Sequence, residues 1–140
     1  MAQAITMAKT IVVDVQQIGP STSKGTARTH SVTIDRPVEK GGEDRGPLGG
    51  ELLLLSLGGC FMSTLLAAVR TREANVTDVN VSVSGTIGGV PERFEALHMR
   101  VSAKYDDADL MRKLIMMAER GCLVTNTLRT ASVITLELVS

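Results

Sequence analysis

Two cysteines, Cys60 and Cys122, are the side chains of this sequence best suited to covalent chemistry. A thiolate is a strong nucleophile, and two thiols that meet in a fold can exchange electrons by forming and breaking a disulfide. Two cysteines can also be buried and inert, which is a common fate of this residue. The sequence therefore leaves two interpretations open, a redox-active pair and a pair of inert core thiols.

Cys60 lies within an apolar segment, residues 52–69, that carries no charged side chain and is long enough for an extended helix. With 3.6 residues per turn, the face centred on Cys60 carries small side chains, and the opposite face carries aliphatic ones that we expect to form the core. The small residues are Ser56, Ser63, Thr64 and Ala67, and the aliphatic residues are Leu54, Leu55, Met62, Leu65, Leu66 and Val69. A substrate could approach Cys60 closely across the small face, and so could a second helix.

The length of this segment only just reaches that of a transmembrane helix, and its tandem glycines and hydroxyl side chains favour burial by protein instead. We therefore expect a helix that is covered by protein on every side, without membrane association. A chain of 140 residues has difficulty covering such a helix alone. A partner subunit is expected to supply the missing cover.

Cys122 follows Gly121, a residue typical of helix ends, and precedes LVTNTLRT, which can form another helical turn. A thiol in that position would lie at a helix N-terminus, where free amides and the helix dipole favour the thiolate and lower its pKa. The alternative is an ordinary buried cysteine in a kink.

Alternating side chains and turn residues predict the remaining elements. A hairpin is expected from strands at 11–18 and 28–34, followed by an ordered loop or crossover over 35–50. A second pair of strands is expected at 76–85 and 94–105, with the turn at Gly88-Gly89.

The C-terminal part is predicted to hold a helix capped by Asp106 or Asp107 and ended by Gly121, and then a last strand over residues 131–139. That strand should turn Ile134, Leu136 and Leu138 inward. The whole order is that of a single α+β domain over residues 1–140.

The charge balance excludes some partners. Fifteen basic and fifteen acidic side chains give a net charge of zero, so nothing attracts the chain to nucleic acid or anionic lipid. The first ten residues lack the features of a secretory signal, which predicts the cytoplasm, where structural disulfides are rare. Two cysteines and two histidines without ligand spacing argue against a metal site, and a redox-active cysteine pair requires no cofactor.

The segments around the two cysteines resemble the OsmC/Ohr family of thiol-dependent peroxidases, and in particular its OsmC-like branch. The resemblance rests on HSVTIDRPVEKGGEDRGPLGGELLLLSLGGCFMSTLL, residues 30–66, and on MAERGCLVTNTL, residues 117–128. It implies that Cys60 is the peroxidatic cysteine and Cys122 the resolving one. It also implies an intertwined homodimer with active sites at the subunit interface, organic hydroperoxides as substrates, and a small dithiol or a lipoyl-bearing protein as reductant.

The acidic residue of the Ohr branch has a shifted counterpart in this chain. The Ohr-type glutamate lies ten positions before the peroxidatic cysteine, where this chain has Gly50, whereas Glu51 lies nine before it, as in the OsmC-like branch. In one continuous helix nine residues span about 13.5 Å and a half-integral number of turns, so Glu51 would point away from Cys60 of its own chain. We expect Glu51 to act on a partner's site or, alternatively, to stabilise the helix N-terminus.

Two other features depart from the family pattern. The arginine of the Ohr branch has no counterpart in the first hairpin, where Arg28, Arg36 and Arg45 are candidates only by being nearby, and Leu123 stands where a proline commonly follows the resolving cysteine. The alternative to a peroxidase is therefore a binding or thiol-switch dimer that keeps the fold without efficient turnover.

Overall fold

The computed structural model describes residues 8–130 and 132–139 and contains two antiparallel sheets and three α-helices. In chain order the elements are β1 (Asp14–Gln17), β2 (Ser23–Ala27), β3 (His30–Ile34), a 3₁₀ turn (Val38–Lys40), α1 (Gly49–Thr71), β4 (Val76–Gly88), β5 (Arg93–Tyr105), α2 (Ala108–Gly121) and α3 (Leu123–Arg129). The predicted α+β class is confirmed. The chain forms two compact units, Met1–Leu52 and Leu53–Ser140.

The sheet of the first unit has three strands in the order β1-β2-β3, with Asp14 opposite Thr26 and Ser23 opposite Ile34. The two predicted strands contain β1 and β3, but the predicted pairing between them is wrong, because the segment assigned to the turn contains β2. The β2 sequence, SKGTA, has few residues that favour strands, and its pairing with a neighbour on each side makes it one.

A buried carboxylate explains why the loop after β3 is ordered. Asp35 accepts hydrogen bonds from the Thr22 hydroxyl at 2.8 Å and from the amides of Arg36, Glu43 and Arg45 at 2.7, 3.3 and 3.2 Å. Burial raises the pKa of Asp35, but these hydrogen bonds outweigh burial and hold the pKa well below its usual range. The loop is thus folded around one ionised side chain.

The second unit is built on the β4–β5 hairpin, in which Val81 pairs with Val101 and Val83 with Met99. Helix α1 packs on this hairpin, and Gly58 allows the close approach, because a Cβ there would lie 2.7 Å from Cγ2 of Val83. The residues of the buried core are Phe61, Leu65, Met111, Leu114, Ala118 and Cys122. Three helices and one hairpin therefore share a single core.

Within one chain, α1 is buried on one face only. Its buried residues are Leu57, Gly58, Phe61 and Leu65, whereas Leu55 and Leu66, which were expected in the core, are 63% and 46% exposed. The predicted core face is confirmed at Leu65 and wrong at Leu55 and Leu66, because the contact at Gly58 turns the Gly58 side of the helix toward β4.

The predicted cover on every side is likewise not found within the chain, since only 22% of the most apolar window of α1 is buried. By length and composition α1 could cross a membrane, but a core helix passes the same test. The outer face of α1, meaning its exposed apolar side around Leu55 and Leu66, is left uncovered by the described residues.

The other elements agree with the sequence analysis, except the last. Asp107 caps α2 by accepting a hydrogen bond from the amide of Leu110 at 3.0 Å, α2 ends at Gly121, and Gly89 turns the β4–β5 hairpin with a φ of 84°.

The strand predicted over 131–139 is wrong: residues 132–139 form no strand, and residue 131 lies outside the described residues. Ile134, Leu136 and Leu138 are almost fully exposed. The alternation is typical of a strand, but a strand also needs a partner edge, and this segment pairs with none in the described chain.

We expect Asp35→Asn to lower the Tm at neutral pH and to reduce the loss of stability in acid. The folded-state pKa of Asp35 lies below the value of about 4 for an unfolded chain. The contribution of its carboxylate to the free energy of unfolding is therefore complete above about pH 4 and is lost as the pH falls toward the folded-state pKa. The Tm of the wild type should therefore fall more steeply than that of Asp35→Asn between about pH 5 and pH 2.

Thr22→Val is the matched control, because it removes one donor and keeps the charge, at a cost of about 1 kcal/mol. It should lower the Tm and retain the steep pH dependence. Equal pH slopes for the wild type and Asp35→Asn would contradict the assignment.

Candidate thiol site

Cys60 lies in the middle of α1, at the boundary between the buried face and the outer face, and its side chain is partly exposed. Phe61 beside it points into the core, whereas Ser56, Ser63 and Ala67 are exposed. The predicted small face is thus on the accessible side of the helix. These small side chains leave room beside Cys60 for either a small molecule or a second helix.

Cys122 lies between α2 and α3 and is completely buried, with 0% of its surface exposed. Its backbone is extended, and it serves as the N-cap of α3, with its sulfur accepting a hydrogen bond from the amide of Thr125 at 3.5 Å. The prediction of a thiol at the start of a further helical segment is confirmed.

The structure brings the two cysteines together. Cys60 packs against the buried core that contains Cys122. Their neighbours along the chain also meet. Gly121 precedes Cys122, and Thr64 lies one turn after Cys60 on α1; a Cβ on Gly121 would lie 3.1 Å from Cγ2 of Thr64. Both thiols are free, with no disulfide between them.

Hydrogen bonds lower the pKa of the buried Cys122 thiol. Burial raises the pKa of Cys122, but hydrogen bonding outweighs burial, and the pKa lies below its usual value. The lowering comes first from the side chain and amide of Thr125, then from the Cys60 side chain and the amide of Val124. These groups favour the thiolate, which is the reactive form of cysteine.

A cleft of about 570 Å³ opens within the second unit, lined by Phe61 and Thr125 among others but by neither cysteine. Most of its lining is apolar and comes from α1, β5, α2 and α3, namely Leu57, Phe61, Phe94, Ala96, Leu97, Met99, Val101, Ile115 and Leu128. Thr125 also lines it, and Glu119 and Arg129 form an ion pair at 3.1 Å among its polar residues. An apolar compound could therefore bind next to the residue that contacts the Cys122 sulfur.

Glu51, the third predicted site residue, lies in the first turn of α1, where its Oε1 accepts a hydrogen bond from the amide of Leu48 at 2.8 Å. This is the reach-back contact of a capping box and stabilises the start of the helix. Of the arginines considered, Arg36 and Arg45 give their backbone amides to Asp35. The structure thus assembles the cysteine pair and gives Glu51 a contact at the helix N-terminus.

Sequence reasoning missed Thr125. Its position three residues after a helix-capping side chain is the signal that could have identified it, because a cap accepts a hydrogen bond from the second or third amide of the helix. The amide of Thr125 donates a hydrogen bond to the buried sulfur.

Comparison with known proteins agrees with this architecture. The family model described as OsmC-like protein matches residues 41–137, while no curated protein matches the chain. Solved structures with the same fold include a hypothetical protein from Aquifex aeolicus, with a TM-score of 0.75, 15% identity and coverage of 87% of this chain and 89% of that chain.

An OsmC like protein from Mycoplasma pneumoniae has a TM-score of 0.71 and 18% identity, covering 88% of this chain and 89% of that chain. An organic hydroperoxide resistance protein from Elizabethkingia anophelis has a TM-score of 0.69 and 17% identity, covering 89% and 91%. These likenesses show the fold, and the family match, which spans well over half of the sequence, confirms the resemblance seen around the cysteines. The chain belongs to the OsmC-like protein family.

Proposed function

We propose that this chain is a cytoplasmic thiol-dependent peroxidase that reduces organic hydroperoxides and so contributes to defence against oxidative stress. The observation that carries the proposal is the meeting of an accessible thiol, Cys60, with a buried and hydrogen-bonded thiol, Cys122, in one core. Membership of the OsmC-like family supports it, as does the name of the Elizabethkingia anophelis relative, an organic hydroperoxide resistance protein.

Cys60 meets the peroxide, because it is the more accessible of the two thiols. Its thiolate attacks the distal oxygen of ROOH, so that an S–O bond forms while the O–O bond breaks. The departing alkoxide takes up a proton and leaves as the alcohol ROH. The Cys60 sulfur has then been oxidised to a sulfenic acid.

Cys122 resolves this intermediate. Its thiolate attacks the Cys60 sulfur, the S–S bond forms as the S–O bond breaks, and the released hydroxide takes up a proton to become water. A dithiol, either small or carried as a lipoyl group on a protein, then reduces the disulfide by thiol–disulfide exchange and is itself oxidised to a disulfide. The cycle consumes only peroxide and dithiol.

The apolar lining of the cleft favours an organic hydroperoxide over hydrogen peroxide as the substrate. Its walls are formed mostly by aliphatic and aromatic side chains, and Phe61, one of them, is the neighbour of Cys60 in α1. Apolar walls favour the alkyl portion of a hydroperoxide, because removing that portion from water contributes about 0.8 kcal/mol for each buried methylene. Hydrogen peroxide has no such portion.

The working unit is a homodimer in which a second copy covers the outer face of α1. Leu55 and Leu66 are exposed there, and further apolar side chains are exposed in residues 132–139. Burial of one leucine contributes about 1.5–3 kcal/mol. Small side chains at Ser56, Gly59 and Ser63 on the same side would let a second helix approach. The predicted action of Glu51 on the partner's site depends on this dimer and stays a prediction.

The two cysteines should differ in their effect on activity. With cumene hydroperoxide and dithiothreitol, the wild type should consume many equivalents of peroxide, and Cys60→Ser should consume none. Without reductant, Cys122→Ser should still consume about one equivalent, after which excess peroxide over-oxidises Cys60 to the sulfinic acid, because no thiol traps the intermediate.

Peroxide consumption and the mass of each oxidised protein are the measurements. Full activity of Cys60→Ser, or loss of the first equivalent in Cys122→Ser alone, would show that the roles are reversed. If neither substitution changes peroxide consumption, the peroxidase proposal fails and a binding dimer replaces it.

Dimerisation should make thermal stability depend on concentration, because association stabilises only the folded chain. Light scattering should give a dimer mass, and the Tm should rise with protein concentration. Leu66→Lys, which places a charge on the outer face of α1, should shift the protein toward monomer. Val90→Lys, at a fully exposed turn position, is the matched control and should leave the mass unchanged.

A monomer whose Tm is constant over about a hundredfold dilution would contradict the dimer, since mass action requires that dependence. Binding of the monomer to lipid vesicles would identify lipid as the cover of α1 instead.

A further inference from the structure

Thr125 carries a buried hydroxyl whose environment is unusual for a threonine in this fold. The residue is only 5% exposed, and its Oγ1 makes no well-formed hydrogen bond within the described part of the chain, although the same side chain lowers the pKa of Cys122. Three other helical threonines, Thr64, Thr71 and Thr127, each donate to the carbonyl four residues earlier, at 3.0, 2.9 and 2.8 Å. A buried hydroxyl without a partner costs free energy, so a role for it is expected.

The Cys122 sulfur is the group on which this hydroxyl can act. The amide of Thr125 already donates to that sulfur at 3.5 Å, and both residues are buried in the same region. A neutral thiol is a weak acceptor of hydrogen bonds, whereas a thiolate is charged and a much stronger one. The hydroxyl thus has no well-formed partner as the structure stands, and it gains a strong acceptor when the Cys122 thiol ionises.

We propose that Thr125 is a positioning residue of the redox pair, whose hydroxyl and amide together hold the Cys122 thiolate for its attack on oxidised Cys60. This inference deepens the proposed function and rests on it. Oxidation of Cys60 leaves its sulfur bonded to a hydroxyl group, the Cys122 thiolate forms the S–S bond as the S–O bond breaks, and the hydroxide leaves with a proton as water.

The surroundings of Cys122 leave few other candidates for this role. The core residues packed with it from α1 and α2 are apolar, among them Phe61, Leu65 and Leu114. The other nearby hydroxyl, that of Thr64, is committed to the carbonyl of Cys60.

The titratable groups on the elements packed around the site are few within the described residues. Cys60 comes from α1, and Glu119 of α2 is paired with Arg129 of α3. Glu95 and His98 of β5 line the adjoining cleft. Cys60 apart, these groups belong to the cleft, whereas Thr125 contacts the sulfur directly.

The Thr125 hydroxyl changes the rate of disulfide closure by changing the fraction of Cys122 that is present as thiolate. A donor that stabilises the thiolate raises its fraction at neutral pH, although a less basic thiolate is intrinsically less nucleophilic. Each tenfold gain in thiolate fraction is offset by a loss of about threefold in nucleophilicity, which leaves a net gain of about threefold. The same hydroxyl would assist reduction, because Cys122 leaves as a thiolate when a dithiol attacks the Cys60 sulfur.

The direct test is titration of Cys122 by the ultraviolet absorbance of its thiolate, in a Cys60→Ser background. The chain has one tyrosine and no tryptophan, so the background is low, and the Cys60→Ser/Cys122→Ser double variant supplies the baseline to subtract. Thr125→Val keeps the shape and removes the hydroxyl, and it should raise the pKa of Cys122. Thr125→Ser restores a hydroxyl and should return the pKa toward that of the parent.

With both cysteines present, Thr125→Val should slow disulfide closure after a pulse of peroxide, by about threefold for each tenfold loss of thiolate at neutral pH, and the difference should shrink as the pH rises. Thr125→Ala is a second hydroxyl-free variant in case Thr125→Val does not fold. An unchanged pKa in folded hydroxyl-free variants would overturn the proposal even if the protein is a peroxidase. If the pKa changes as expected but the protein shows no peroxidase turnover, the hydrogen bond from Thr125 to Cys122 is supported and its role in catalysis is overturned.

Discussion

The close packing of α1 on β4 at Gly58 is the constraint on which the site depends. A side chain at this position would overlap Val83, so the absence of one lets the helix lie directly on the strand and determines its rotation. With that rotation Phe61 and Leu65 enter the core, Leu66 faces outward, and Cys60 comes to lie at the boundary between the two faces. The accessibility of the proposed peroxidatic thiol therefore follows from a helix–sheet contact on the other side of the helix.

The junction between α2 and α3 supplies the second half of the pair. Helix α2 ends at Gly121, which approaches Thr64 of α1. The next residue, Cys122, is buried in the core and caps α3. The extended backbone of Cys122 thereby buries its side chain, places its sulfur where the Thr125 amide can donate to it, and brings it near Cys60. A buried sulfur with donors already in place is suited to resolving an intermediate, whereas a partly exposed sulfur is suited to meeting the substrate.

Local patterns in the sequence were sufficient for those elements whose formation depends on nearby residues. The long helix, the β4–β5 strands, the Asp107 cap and the helical segment after Cys122 follow from periodicity, turns and caps. Strand β2 was missed, because its five residues become a strand only through pairing with neighbours on both sides.

The errors at the last strand and at the face of α1 have a related cause. Residues 132–139 have the alternation of a strand but no edge to pair with in the described chain. The buried face of α1 is selected by Gly58 against Val83, a contact between distant segments that helical periodicity does not contain. Thr125 and Asp35 escaped notice for the same reason, since their roles depend on a sulfur and on a set of loop amides that only the fold brings to them.

The central claim, that Cys60 and Cys122 act as one redox pair, is tested most directly by peptide mass spectrometry without reduction, after treatment of the wild type with a limited amount of organic hydroperoxide. A disulfide requires the two Cα atoms to come within about 7 Å, and the packing of Cys60 against the core that contains Cys122 places both residues in the same region. The expected product is an intramolecular 60–122 disulfide, seen as the loss of two hydrogens from each chain. Cys60 oxidised to the sulfinic acid beside an unmodified Cys122, or a disulfide found only between chains, would contradict the pairing.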